Sequence, residues 1–172
     1  MFDQVIESII LLFVAVDPIA LIPIFASLTQ GLSKQDIKTV YIHASFVSFG
    51  ILSAFWLFGA SLLGVMGISM SSFKIIGGLF LIAIAFQMVF EQRQERRQNT
   101  ADTALDDESL QSLAIFPLAT PLIAGPGAMT AVLLLAEERS NEPLEMLINF
   151  TPILAIVLMA AIAMWLSANL AN

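Results

Sequence analysis

Residues 13–25 read FVAVDPIALIPIF, an apolar run that is interrupted by one acidic residue and two prolines. Asp17 directly precedes Pro18, and Pro23 follows within the same run. An aspartate at an N-cap accepts hydrogen bonds from the free N–H groups of a helix, and a proline at the first helical position forfeits no hydrogen bond. The stretch therefore predicts a helix that ends near Asp17 and a second helix that begins at Pro18.

The composition around this stretch is that of a membrane protein. The chain has 172 residues, of which 58% are hydrophobic and only 12% are charged, whereas soluble domains carry about 25% charged residues. A helix needs about 20 apolar residues to cross a bilayer. Five stretches approach or exceed this length: 5–28, 39–63, 73–90, 113–136 and 147–171. We therefore predict an all-α membrane protein, a helical bundle whose main partner is the lipid bilayer.

Several functions are excluded by what the chain lacks. It has seven Lys and Arg in total and a net charge of −7, which leaves no basic face for nucleic acid. With no Cys and one His, it offers no Cys/His zinc site, and we expect no metal and no cofactor. No HExxH, P-loop or Rossmann glycine pattern is present, and Asp17 has no second intramembrane acid as a partner. We expect neither an enzyme nor an ATP-driven pump.

The basic residues predict the orientation of the chain. Basic residues in short loops favour the cytoplasmic side. Five of the seven fall in the first and third loops, and two fall in the loops on the opposite side: Lys34, Lys38, Arg93, Arg96 and Arg97 against Lys74 and Arg139. This places the N-terminus outside. Residues 91–112 are polar and poor in large apolar side chains, so we expect a cytoplasmic, solvated linker there.

A second break, Gly125-Pro126-Gly127, lies 108 residues after the first, and the same offset relates the first two predicted spans to the last two. With three spans in each unit, the second unit enters the membrane from the opposite side, as in many secondary transporters. We therefore interpret residues 1–90 as a first repeat and residues 113–172 as an incomplete, inverted second repeat. The offset predicts a sixth span at about 181–198, so either one span is missing or five spans are complete and the repeat interpretation is wrong.

The two breaks predict complementary charges near the bilayer midplane. Asp17 and Pro18 bring a carboxylate to one half-helix end, while residues Gly125, Pro126 and Gly127 open a half-helix whose N–H groups have no acidic cap. Such N–H groups bind anions. A small zwitterion fits both ends, with its carboxylate towards Gly125–Gly127 and its ammonium towards Asp17. The alternatives are a simple helix cap at Asp17 and a packing kink at the second break.

Three further polar residues are candidates for this site. Thr120 and Thr130 flank the second break and are the threonines best placed to face a cavity. An acid within a membrane is costly, which favours proton or sodium coupling at Asp17. His43, about one turn into the second span, could relay protons, a common role of histidine side chains, although an interfacial role fits it as well.

Two stretches of the sequence resemble the two hallmark stretches of the MarC family of integral membrane proteins. They are residues 13–25 with Leu28-Thr29, and residues 116–130 (FPLATPLIAGPGAMT). The resemblance implies a six-span protein of the bacterial cytoplasmic membrane, in a family that includes transporters of small neutral amino acids. We accordingly expect an ion-coupled secondary transporter of small neutral amino acids or similar metabolites. A membrane scaffold without transport, and a channel, are the alternatives.

Overall fold

The computed structural model describes residues 2–90, 97–98, 110–137 and 142–170. Within these ranges every regular element is helical, which confirms the predicted all-α class. The elements, in chain order, are α1 (Phe2–Val16), α2 (Pro18–Leu28), α3 (Lys34–Val65), α4 (Met70–Val89), α5 (Leu110–Leu113), a π-helical segment (Ala114–Ile123), α6 (Pro126–Glu137) and α7 (Pro143–Leu170). Most of the predicted linker 91–112 lies outside the described residues.

The described helices supply a counterpart for each predicted span. Four helical stretches are long and apolar enough to cross a membrane: Asp3–Leu28, Lys34–Val65, Met70–Val89 and Leu144–Leu170. A fifth crossing arises if Leu110–Ile123 and Pro126–Glu137, which meet at a bend of 59°, form one broken span. The chain is thus a multi-span helical membrane protein, and the inverted relation of its two halves stays a prediction.

The first break is built by Asp17 itself. Its backbone is left-handed, with φ 54° and ψ 70°, a conformation that aspartate tolerates better than most residues. Its N–H still donates to Phe13 O at 2.8 Å, which closes α1, while its Oδ1 accepts from the N–H of Ala20 at 3.3 Å, which opens α2. Pro18 has no N–H, so the first position of α2 has no donor that needs an acceptor.

The second break is a wider distortion. The backbone is extended at Phe116 (φ −129°, ψ 125°) and at Thr120 (φ −133°, ψ 120°), the two residues that precede prolines, as the clash with a proline ring favours. The segment ends where Ala124 N donates to Ala119 O at 2.8 Å. Helix α6 then starts at Pro126, and its first turn is closed by the bond from Met129 N to Gly125 O at 2.9 Å.

The broken spans lie at the centre of the bundle. Helix α7 packs against α1, α2 and α3, and α3 packs in addition against the π-helical segment and α6. Helix α4 packs chiefly against α6, and most of its surface faces outward. Between α7 and α2, Ser167 Oγ donates to Ile22 O at 2.7 Å. Gly125 and Gly127 are buried and Asp17 is half-buried, whereas Pro126 is exposed, so much of the irregular backbone is covered by protein, as is needed at membrane depth.

Candidate functional site at the two helix breaks

Arg97 joins the two helix breaks. Its Nη2 donates to Val16 O at 2.8 Å and to Leu122 O at 3.4 Å, and the residue is only 8% exposed. Val16 is the last residue of α1, and Leu122 lies at the end of the π-helical segment. The last carbonyl groups of a helix lack intrahelical partners and carry the negative end of its dipole. One guanidinium group therefore neutralises two helix ends.

Asp17 completes this charged cluster. Arg97 Nη1 lies 3.5 Å from Asp17 O and 4.0 Å from Asp17 Oδ2, with side-chain exposures of 9% for the arginine and 19% for the aspartate. The two carboxylate oxygens thus have different surroundings, because Oδ1 caps Ala20 while Oδ2 faces the guanidinium. Asp17 is a helix cap, and it is also half of a largely buried charge pair.

A cavity of about 260 Å³ opens beside Arg97. This is smaller than the roughly 300–1,000 Å³ typical of pockets for drug-sized ligands, so it suits a solute of a few heavy atoms. Its polar side chains are Arg97 and Gln87, and the remaining walls are apolar. The helices that line the cavity contribute Ala15 (α1); Phe80, Ile84 and Gln87 (α4); Pro121 and Leu122 (π-helical segment); and Pro126 and Gly127 (α6). Arg97 and Gly125 complete the lining.

The second break requires glycine at residue 125 and favours it at residue 127. A Cβ on Gly125 would overlap the carbonyl oxygen of Pro121, and a Cβ on Gly127 would lie 2.5 Å from Ile84 Cδ1 and 3.9 Å from Ala15 O. The absence of a side chain at Gly127 lets the first turn of α6 lie close to Ile84 of α4 and to the backbone of α1. The N–H of Gly127 belongs to the first helical turn, where no intrahelical carbonyl is available to it.

The structure brings together part of the predicted site. Gly125, Pro126 and Gly127 line the cavity, whereas Asp17 does not line it but lies 4.0 Å from Arg97, which does. Pro18 is buried as the first residue of α2 and does not line the cavity.

The remaining three predicted residues lie elsewhere. Thr120 and Thr130 are half-buried without lining this cavity, and Thr130 instead packs against Gly77 of α4, where its Cγ2 would lie 2.9 Å from an added Cβ. His43 is exposed on α3 and is not part of the cavity wall. Over the described ranges, no group of three or more His, Cys, Asp or Glu side chains could hold a metal ion.

Arg97 is the residue that sequence reasoning missed. It stands next to Arg96 in a polar stretch, and it was counted only as one of the charges that orient the chain. The predicted site does favour a nearby cation, because two helix C-termini and an intramembrane carboxylate all carry negative charge. Nothing in the local sequence separates Arg97 from its neighbours as that cation.

A larger cavity of about 520 Å³ lies near the turn between α2 and α3, with Pro23, Thr29, Gln30 and Ile37 among its lining residues. None of the side chains that line it is ionisable. We place the candidate site in the smaller cavity because that one combines helix ends and a largely buried charge pair.

The comparisons with known proteins agree with this architecture. A profile described as MarC family integral membrane protein matches residues 2–172. The chain belongs to the MarC family. Relatives include a UPF0056 membrane protein of Methanocaldococcus jannaschii, 36% identical over 130 residues, and one of Buchnera aphidicola from Acyrthosiphon pisum, 37% identical over 118 residues. UPF0056 membrane protein YvbG of Bacillus subtilis is 29% identical over 141 residues.

These MarC-family matches cover 76%, 69% and 82% of this chain and 57%, 54% and 67% of the three relatives, in the same order. The chain thus spans little more than half the length of the first two. No solved structure gives a significant match. The family membership confirms the resemblance carried by residues 13–25 and 116–130.

Proposed function

We propose that this MarC-family chain is an ion-coupled secondary transporter of small neutral amino acids or similar small metabolites, and that it works in a bacterial cytoplasmic membrane. The observation that supports this most is the meeting of two broken spans at one small cavity beside a buried Arg–Asp pair. Secondary transporters bind their substrates near the midplane, at the ends of discontinuous helices. Enzymatic chemistry has no support from the residues that line the cavity.

The cavity favours a substrate that carries a carboxylate. The Arg97 guanidinium supplies a positive charge that attracts a carboxylate, and the Gly127 N–H at the start of α6 adds a donor with the positive end of a helix dipole behind it. Both groups line the same cavity. Substrate binding would therefore bring an anion to the positive face of the charge pair.

Asp17 supplies the opposite charge. Its Oδ2 lies 4.0 Å from Arg97, at the limit of a salt bridge, so this oxygen can also accept a substrate ammonium or a coupling cation. A zwitterion of a few heavy atoms would then satisfy both ends of the pair. The proposal assigns coupling to Asp17, which lies next to the cavity-lining Arg97, and leaves out His43, which is exposed on α3.

Uptake by the reconstituted chain tests this proposal. Proteoliposomes would be supplied with labelled glycine, alanine or serine, with and without an inward proton or sodium gradient. We expect saturable uptake that rises with one of the two gradients. Asp17→Asn should lose the gradient dependence, because it removes the charge while an asparagine can still cap α2.

Asp36→Asn is the matched control, since Asp36 is an acid in the first turn of α3 that does not line the cavity. Its uptake should match that of the original chain. Absence of uptake would favour a scaffold, and ion conductance without saturable uptake would favour a channel. Unchanged gradient dependence in Asp17→Asn would remove Asp17 from the coupling mechanism.

A further inference from the structure

A second site lies far along the chain from the helix breaks, between the start of α3 and the end of α7. A cavity of about 150 Å³ is lined there by Lys34, Lys38 and Tyr41 of α3 and by Trp165 and Asn169 of α7, with Ile37 and Ala168 at its base. Lys34 and Lys38 are one helical turn apart, so both ammonium groups lie on the same side of α3. Two cations, an indole and a phenol thus surround one cavity.

This cavity is at a depth where lipid headgroups are found. Helix α3 has 32 residues and is therefore about 48 Å long, well beyond a hydrocarbon core of about 30 Å. Because Lys34, Asp36 and Lys38 all lie at its start, the first turns of α3 are the part that lies in the interfacial region. Trp and Tyr are enriched in that region, and Trp165 is 50% exposed.

An apolar groove continues the cavity along the same pair of helices. Its walls are formed by Ser45, Phe46 and Phe49 of α3 and by Leu154, Val157 and Leu158 of α7. The one hydroxyl group among them, on Ser45, is turned to its own helix, where it donates to Tyr41 O at 2.7 Å. The groove has a volume of about 260 Å³ and presents only apolar surface.

The cationic cavity and the apolar groove follow one another along the helices as the headgroup and acyl chain do in a lipid. Lys38 and Phe49 are separated by about 16 Å of α3, and Trp165 and Leu154 by about 16 Å of the antiparallel α7. The cationic end is at the interface, and the apolar groove extends from it towards the middle of the membrane. Phe46, 73% exposed, shows that the groove is open to the surrounding lipid.

We propose that the α3–α7 groove is a binding site for an anionic phospholipid, with the phosphate between Lys34 and Lys38 and one acyl chain along Phe46 and Leu158. Basic pockets between membrane helices bind anionic headgroups. Asp36 lies between the two lysines in sequence, but its Oδ2 accepts from Ser33 Oγ at 2.7 Å and it does not line the cavity. This site is independent of the proposed transport function.

Quenching of Trp165 fluorescence by brominated lipid measures the binding directly. The chain would be reconstituted in phosphatidylcholine vesicles that contain a minor fraction of phosphatidylglycerol with brominated acyl chains. In a parallel series the brominated lipid is phosphatidylcholine. The same measurements on Trp165→Phe define the contribution of Trp165, because the only other tryptophan, Trp56, is buried.

We expect phosphatidylglycerol to be preferred about 30-fold over phosphatidylcholine, because each of the two lysines near the headgroup contributes about 1 kcal/mol. The double variant Lys34→Gln, Lys38→Gln should reduce this preference to about one. Lys74→Gln, which removes a lysine paired with Glu137, should leave it unchanged. The variants keep the fold because Lys34 and Lys38 are exposed.

Two outcomes would overturn the proposal. The first is equal quenching by the two brominated lipids in the original chain, or a preference that survives loss of both lysines. The second is displacement of the bound lipid by millimolar glycerol 3-phosphate, which has the headgroup chemistry without acyl chains. That result would assign the cavity to a soluble phosphate compound and would leave no role for the apolar groove.

Discussion

Replacing Arg97 with methionine should lower the free energy of unfolding by about 3 kcal/mol. Hydrogen bonds from a charged donor contribute roughly 1.5–3 kcal/mol each. Only the bond to Val16 O, at 2.8 Å, is short, and those to Leu122 O and Asp17 O, at 3.4 and 3.5 Å, are at the outer limit. We therefore count about 2 kcal/mol for the short bond and little for the others.

The remaining loss comes from Asp17. At the 4.0 Å separation of Arg97 Nη1 and Asp17 Oδ2, the Coulomb attraction is about 4 kcal/mol for an effective dielectric constant of about 20. The cost of removing both charges from water offsets most of it. We expect about 1 kcal/mol to remain. The coupling energy in a double-mutant cycle between Arg97→Met and Asp17→Asn excludes these desolvation costs, so it should lie between about 1 and 4 kcal/mol.

The assay is unfolding in mixed detergent micelles, followed by the loss of helical circular dichroism. Lys74→Met serves as the control, because Lys74 is 53% exposed and pairs with Glu137 near the surface, where such pairs contribute less than about 1 kcal/mol. If Arg97→Met fell within 1 kcal/mol of the original chain, or if the coupling to Asp17 were below about 0.3 kcal/mol, Arg97 would not hold the two helix ends together.

Three further predictions use the same unfolding assay. Gly125→Ala should cost at least about 2 kcal/mol because its Cβ would overlap the backbone oxygen of Pro121, whereas Gly78→Ala, with nothing within 4 Å, should be neutral or stabilising by up to about 1 kcal/mol. Equal effects of the two would contradict the tight turn. Asp17→Asn should cost about 1 kcal/mol because it loses the pair with Arg97, and Asp17→Ala should cost about 2 kcal/mol more because it also loses the cap and places alanine at φ 54°; equal losses would show that the cap is unimportant. Ser167→Ala should cost about 0.6 kcal/mol, the average for a hydrogen bond between membrane helices, and a loss above about 2 kcal/mol would point to a different role.

The spans and the breaks could be predicted because they depend on local features. Apolar length determines which segments can cross a membrane, and Asp17-Pro18 and Gly125-Pro126-Gly127 carry their effects in their own backbones. The exposure of His43 could also have been predicted from the helical pattern of α3. The buried residues of α3 recur at Ile37, Val40, Ala44, Ser48 and Leu52, and His43 falls beside this helical stripe.

The contacts of Arg97, Thr120 and Thr130 could not be predicted from the local sequence. Arg97 acts through carbonyl groups of α1 and the π-helical segment, which are distant in sequence, so only the tertiary structure identifies it. The direction of Thr120 could not be predicted because its extended backbone interrupts the 3.6-residue period on which such predictions depend. Thr130 lies on a regular helix, but its contact with Gly77 depends on where α4 packs.

The most direct test of the proposed substrate site is protection of the cavity from chemical labelling. The chain has no cysteine, so Gln87→Cys introduces a single thiol into the cavity wall, and Ser71→Cys places one at an exposed position near the start of the same helix. In vesicles that take up glycine, alanine or serine, a saturating amount of that substrate should slow labelling of Gln87→Cys by a charged thiol reagent several-fold and leave Ser71→Cys unchanged. Identical labelling of Gln87→Cys with and without the transported substrate would contradict a substrate site between the two helix breaks.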